Sequence, residues 1–89
     1  MPTSRPAMQI GWERRAVEEV AVLPRKDQRR VVEAVEGLLE DPLAGEPLAA
    51  QWKGLRRLRV GQYRVIYGFD GKALLIAVVR VGHRKDVYR

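Results

Sequence analysis

Three arginines fall within eight positions, Arg57, Arg59 and Arg64, where the apolar pattern alternates with a period of two. Arg57 and Arg59 are two apart, so a strand running through them puts both side chains on one face and Leu58 and Val60 on the other. Gly61-Gln62 reads as a tight hairpin turn, which carries Arg64 onto the neighbouring strand. His83, Arg84 and Tyr88 follow the strand after that. In a three-stranded meander these positions can converge on one sheet face and its edge. Guanidinium forks match phosphate oxygens and stabilise the charge that develops when a phosphoryl group is attacked. Tyrosine rings give unpaired bases a surface to stack on.

Other chemistries find little here. The chain has no cysteine and one histidine, which excludes disulfides, thiolate metal sites and a histidine metal cluster. Gly61, Gly68, Gly71 and Gly82 match no phosphate-loop spacing, and no Ser-His-Asp set is visible. No cofactor is expected. No apolar run reaches the roughly 18 residues that span a membrane. Residues 1–7 read as a flexible leader without the apolar stretch of a signal peptide, which points to the cytoplasm.

Charge reinforces the arginine pattern. The net charge is +6 over 89 residues. Residues 1–50 hold seven Lys/Arg against nine Asp/Glu, a balance of −2, whereas residues 51–89 hold ten against two, a balance of +8. A basic half beside a near-neutral half is the footprint of a polyanion binder.

The elements that must position these cations follow from periodicity. Met8, Ile10 and Trp12 alternate, predicting a short first strand. Ala16, Val17, Val20, Ala21 and Leu23 recur at helical spacing over about 13–23. Val31, Val32, Val35, Leu38 and Leu39 repeat it over about 26–40. Pro24 separates the two helices and Asp41-Pro42 stops the second. Residues 42–54, with Pro42, Gly45, Pro47 and Gly54, read as a loop in which Trp52 is a packing anchor. Strands are expected at 55–60, 63–69 and 72–81, the last two joined through Asp70-Gly71, a strong hairpin signal. Tyr63 and Tyr67 share a strand face with Val65 and Phe69 and are expected in the core. The fold class is therefore α+β, in the order β-α-α-β-β-β: one domain over 1–89, with a helix hairpin packed on an antiparallel sheet.

Two stretches resemble a known family. Gly54-Leu55-Arg56-Arg57-Leu58-Arg59-Val60-Gly61-Gln62-Tyr63-Arg64-Val65-Ile66-Tyr67 looks like its basic strand, glycine turn and tyrosine-arginine strand. Val79-Arg80-Val81-Gly82-His83-Arg84-Lys85-Asp86-Val87-Tyr88 looks like its closing element. With the leading strand, helix, Leu-Pro, helix and Asp-Pro, the chain resembles the RelE/ParE toxin superfamily, on its RelE-like branch, over about residues 8–89. The resemblance implies a toxin of a type II toxin–antitoxin system that enters the ribosomal A site and cleaves mRNA there without a metal. It also implies a cognate antitoxin that wraps and blocks the toxin.

Position by position, the resemblance assigns Arg57, Arg59, Arg64, Arg84 and Tyr88 to binding and activating the scissile phosphate. One well-known arrangement carries lysines where Arg57 and Arg59 stand. A lysine can lose its proton and act as a base, whereas an arginine effectively cannot. The base is then Tyr88 among its cationic neighbours, or His83, unless the catalysis is mainly electrostatic. The alternative within the superfamily is a ParE-branch toxin that poisons DNA gyrase and cuts nothing. The phosphate-centred arginine set favours the nuclease.

Overall fold

Alternating Ile10 and Trp12 form β1 (Gln9–Trp12), and the two helical repeats form α1 (Arg14–Ala21) and α2 (Arg25–Gly37). The structure, a computed structural model, describes residues 7–83. Both helices are shorter than the apolar spacing predicts. α1 cannot pass Pro24, which supplies no amide proton. The Pro24 carbonyl instead starts α2, accepting the N–H groups of Asp27 and Gln28 at 2.9 Å each. Gln28 then turns back, its amide donating to the carbonyls of Ala21 (3.1 Å) and Leu23 (3.0 Å), groups that the end of α1 leaves without helical partners. After Gly37 the chain leaves α2 through short turns, so that Leu38 is buried.

The region expected to be only a loop contains a two-residue strand, β2 (Glu46–Pro47), and a 3₁₀ turn at Ala50–Trp52. β3 (Arg56–Val60), β4 (Tyr63–Asp70) and β5 (Leu75–His83) complete the sheet, with no helix between Leu74 and Val79. The β3–β4 hairpin turns on Gly61 (φ +60°), at the first position of a two-residue loop where a side chain is disfavoured. The Asp70 carboxylate closes the β4–β5 hairpin by accepting the N–H groups of Lys72 (2.9 Å) and Ala73 (3.0 Å).

The sheet order is β1-β5-β4-β3-β2. All neighbours are antiparallel except β1, which pairs in parallel with β5 from Gln9↔Leu75 to Trp12↔Val78. The sheet is thus mixed rather than antiparallel, because two helices intervene before β5 is laid beside the first strand. β5 lies inside the sheet, as its apolar composition predicts. A register shift sets Tyr67 against Val78 while Ile66 faces Arg80. The extra residue lets Val78 and Val81, three apart, both meet the helices.

Ala16, Val31, Val35, Val65, Val78 and Val81 form the main core under the helix hairpin, with Leu58 and Val60 packed against it. Leu38, Tyr67 and Ile76 form a second cluster, joined by Met8 and Phe69. Each fully buried side chain of this size contributes about 1.5–3 kcal/mol. β1 ends at Trp12, and further along β5 the α1 residue Glu19 takes over: its Oε1 accepts the Val81 N–H at 2.8 Å. The Arg80 guanidinium donates to the same carboxylate, Nε at 3.0 Å and Nη2 at 3.0 Å to Oε2. Among the described residues, no helix is long and apolar enough to cross a membrane.

Candidate functional site

Register decides which of the expected residues meet. Leu58, Val60 and Val65 pack on the core, so the residues between them point to the other side of the sheet. That places Arg57, Arg59 and Arg64 together on the face away from the helices. Arg59 and Arg64 are direct cross-strand partners, and Arg64 is in turn opposite Gly82 of β5. Gly82 brings no side chain to this face. Arg59, Gly61, Tyr63 and Arg64 line a shallow hollow of about 50 Å³ at the hairpin end. Arg59 is exposed, while Arg57 and Arg64 are half-buried.

The fourth arginine of this strand region does something else. Arg56 Nη1 donates to the carbonyls of Gly45 (2.6 Å) and Leu43 (3.3 Å), tying the 42–47 segment to β3. Tyr67, fully buried as expected, completes the tie: its hydroxyl donates to the Pro42 carbonyl (2.7 Å) and accepts the Gly45 N–H (2.9 Å). Burial pushes the Tyr67 phenol above its ordinary pKa, and the Gly45 N–H only partly offsets this. A Cβ on Gly45 would lie 2.8 Å from the Arg57 carbonyl and from the Tyr67 ring, so no other residue fits there without movement.

The consequence is Glu46, which the sequence reading passed over. With Gly45 locked, Glu46 stands directly opposite Arg57, and its Oε2 accepts from Arg57 Nη2 at 2.8 Å. A signal was present: Glu46 is the sole acid between Asp41 and Asp70.

His83 is placed differently. It pairs with Tyr63, and the two rings meet edge to face at 6.3 Å and 80°. Tyr63 shares a strand face with Val65, and its hydroxyl donates to Asp27 Oδ2 of α2 at 2.8 Å. That bond to a carboxylate is the main reason its pKa is raised. The register therefore puts His83 on the helix-side face, not with Arg57, Arg59 and Arg64. Arg84 and Tyr88 lie outside the described residues. No group of histidine, aspartate and glutamate suited to a metal occurs among the described residues. What the arrangement offers is a cationic floor for a phosphate, at the open end of a rigid hairpin.

The chain is similar to known proteins in both sequence and fold. The profile of the ParE toxin family of type II toxin–antitoxin systems matches residues 10–88. Toxin RelG of Mycobacterium tuberculosis is 38% identical over 69 residues, which is 75% of this chain and 79% of that protein. Toxin RelE of the same organism is 34% identical over 76 residues, covering 83% of this chain and 78% of that protein. The crystal structure of the RelBE2 toxin–antitoxin complex of M. tuberculosis superposes with a TM-score of 0.80 at 30% identity, over 89% of this chain and 100% of that one.

Proposed function

The chain belongs to the ParE toxin family of type II toxin–antitoxin systems, within the RelE/ParE superfamily, and from that membership we propose that it is a ribosome-dependent endoribonuclease that cleaves mRNA in the A site. The observation that carries the reading is the gathering of Arg57, Arg59 and Arg64 on one sheet face, with Arg59 and Arg64 directly opposed. Like charges set face to face cost stability, and a bound phosphate removes the repulsion.

In the reaction the ribose 2′-oxygen attacks the adjacent phosphorus. The new O–P bond forms as the bond to the 5′-oxygen breaks, leaving a cyclic phosphate and a free 5′-hydroxyl. The three guanidinium groups neutralise the charge that builds on the phosphoryl oxygens and hold the backbone in line. The family resemblance gives Arg84 the same task. The proton of the 2′-hydroxyl goes to Tyr88 or His83; the place of His83 beside Tyr63, on the other face, favours Tyr88. No metal or cofactor takes part.

A cognate antitoxin is the controlling partner, and the protein works in the cytoplasm, where ribosomes are. The similarity to a toxin solved as a RelBE2 complex supports the antitoxin, and the +8 balance of residues 51–89 supplies the surface it must neutralise. Purified toxin, programmed ribosomes and a defined mRNA test the proposal: A-site cuts should appear with wild type and vanish with Arg64→Ala.

A second reading has one observation behind it, the family profile itself, which is that of ParE. On that reading the protein poisons DNA gyrase. Stabilised gyrase–DNA breaks with ribosomal mRNA left whole would replace the nuclease with it.

A further inference from the structure

The proposed phosphate site contains a carboxylate that has no place in gripping RNA. Glu46 is bonded to Arg57 at 2.8 Å, and the two are cross-strand neighbours on β2 and β3. Its presence there is built in. Tyr67, Arg56 and the side-chain-free Gly45 fix the segment on which it stands. The Glu46 side chain is 62% exposed and that of Arg57 only 18%, so the carboxylate lies on the solvent side of the guanidinium. The carboxylate thus stands on a solvent approach to Arg57. Asp70, the only other described acid beyond residue 46, is used in the β4–β5 turn.

We infer that Glu46 is an internal competitor for RNA phosphate at Arg57. In the free protein the carboxylate holds the guanidinium, and RNA binds by exchanging that carboxylate for a phosphate oxygen. The pair is well suited to exchange. An exposed ion pair is weak enough to give way, and its carboxylate occupies a donor that an incoming phosphate oxygen would otherwise use. Glu46 is thus an affinity-setting residue acting through Arg57, not a group that touches the reacting atoms. The inference rests on the RNA-cleaving reading of the same face.

Binding of a 2′-O-methyl RNA oligonucleotide, which cannot be cut, tests it, with the full chain and its Glu46→Gln, Glu33→Gln, Arg57→Ala and Glu46→Gln/Arg57→Ala variants. Glu33 is an exposed acid lining the helix-side groove, so Glu33→Gln makes the same change in net charge away from Arg57. Glu46→Gln is expected to bind about two- to five-fold more tightly than Glu33→Gln, the worth of one exposed ion pair. The gain should disappear when Arg57 is already alanine. Equal affinities for the two glutamine variants, or a gain that survives in the Arg57→Ala background, overturns the inference while leaving the RNA reading in place. So does slower A-site cleavage by Glu46→Gln at unchanged affinity, which would make the carboxylate a proton acceptor. Wild type that does not bind the oligonucleotide, alone or on ribosomes, takes down the RNA reading and the inference together. Matching melting temperatures show that each variant is folded.

Discussion

Arg59 and Arg64 face each other directly across the β3–β4 ladder, two positive charges where a sheet is best served by opposite ones. Arg59 is the more exposed of the two and has no role in the core. Arg59→Thr keeps a residue suited to strands and removes the repulsion. We expect it to stabilise the protein by about 0.2–1 kcal/mol, seen as a rise of a few degrees in melting temperature, while growth arrest is lost. A variant that melts lower than wild type would mean that Arg59 has a stabilising partner and that the opposition is not a cost.

Proton transfer is assigned by a pair of substitutions. Tyr88→Phe removes a hydroxyl and keeps a ring. If that hydroxyl handles the proton, single-turnover cleavage on ribosomes should fall about 10²–10⁴-fold. His83→Gln should change the rate only slightly, because the register sets His83 against Tyr63 and away from the arginines. The reverse outcome would move the chemistry to His83.

Removing the clasp on β5 should be expensive. Glu19→Ala leaves the Arg80 guanidinium and the Val81 N–H without the acceptors they now share. Arg80 is nearly buried, so water replaces little of what is lost. A loss of about 2–4 kcal/mol is expected in urea unfolding. This is a large part of the roughly 5–15 kcal/mol that holds a domain folded. A loss under 1 kcal/mol would show that the helix end swings away and lets water in.

The tyrosines give a pH dependence with a definite sign. Folding raises the pKa of both Tyr63 and Tyr67, so the folded chain holds their protons more firmly than the unfolded chain does. The resulting stability is fully present below the ordinary phenol value of about 10 and is lost as pH rises through the higher folded values. Tyr67→Phe should cost about 1–3 kcal/mol at pH 7, since Gly45 N–H and the Pro42 carbonyl lose their partner. The gap from wild type should stay constant up to about pH 10 and narrow above it. A constant gap through pH 11 would show that folding does not raise the Tyr67 pKa.

Local pattern announced the helix hairpin and strands β3 to β5, because periodicity and turn residues are written in neighbouring positions. It also announced the shared face of Arg57 and Arg59, and the core place of Tyr67. What it left out depends on distant partners. β2 consists of Glu46 and a proline inside a Pro- and Gly-rich segment, and it is a strand only because Tyr67 and Arg56 hold Gly45 from elsewhere in the chain. The parallel pairing of β1 is set by the path of two helices, not by residues 9–12. His83 illustrates the same limit, since its face follows from a register shift at Ile66 and Tyr67 that no local spacing signals.

The parallel pairing of β1 with β5 also sets a timetable. Gln9 is made early, yet its partner Leu75 arrives 66 positions later, and the β1 pairing runs out to Val78. Pairings of such separation close slowly, since the intervening chain must give up its freedom first. A ribosome making this protein therefore carries an incomplete sheet until residue 78 has emerged. Val78 and Val81 of the core come from the same late strand. The arginine face on the β3–β4 hairpin can gain a rigid backing only after that point. Synthesis itself thus delays the moment at which the arginine face of the nascent chain is held in place.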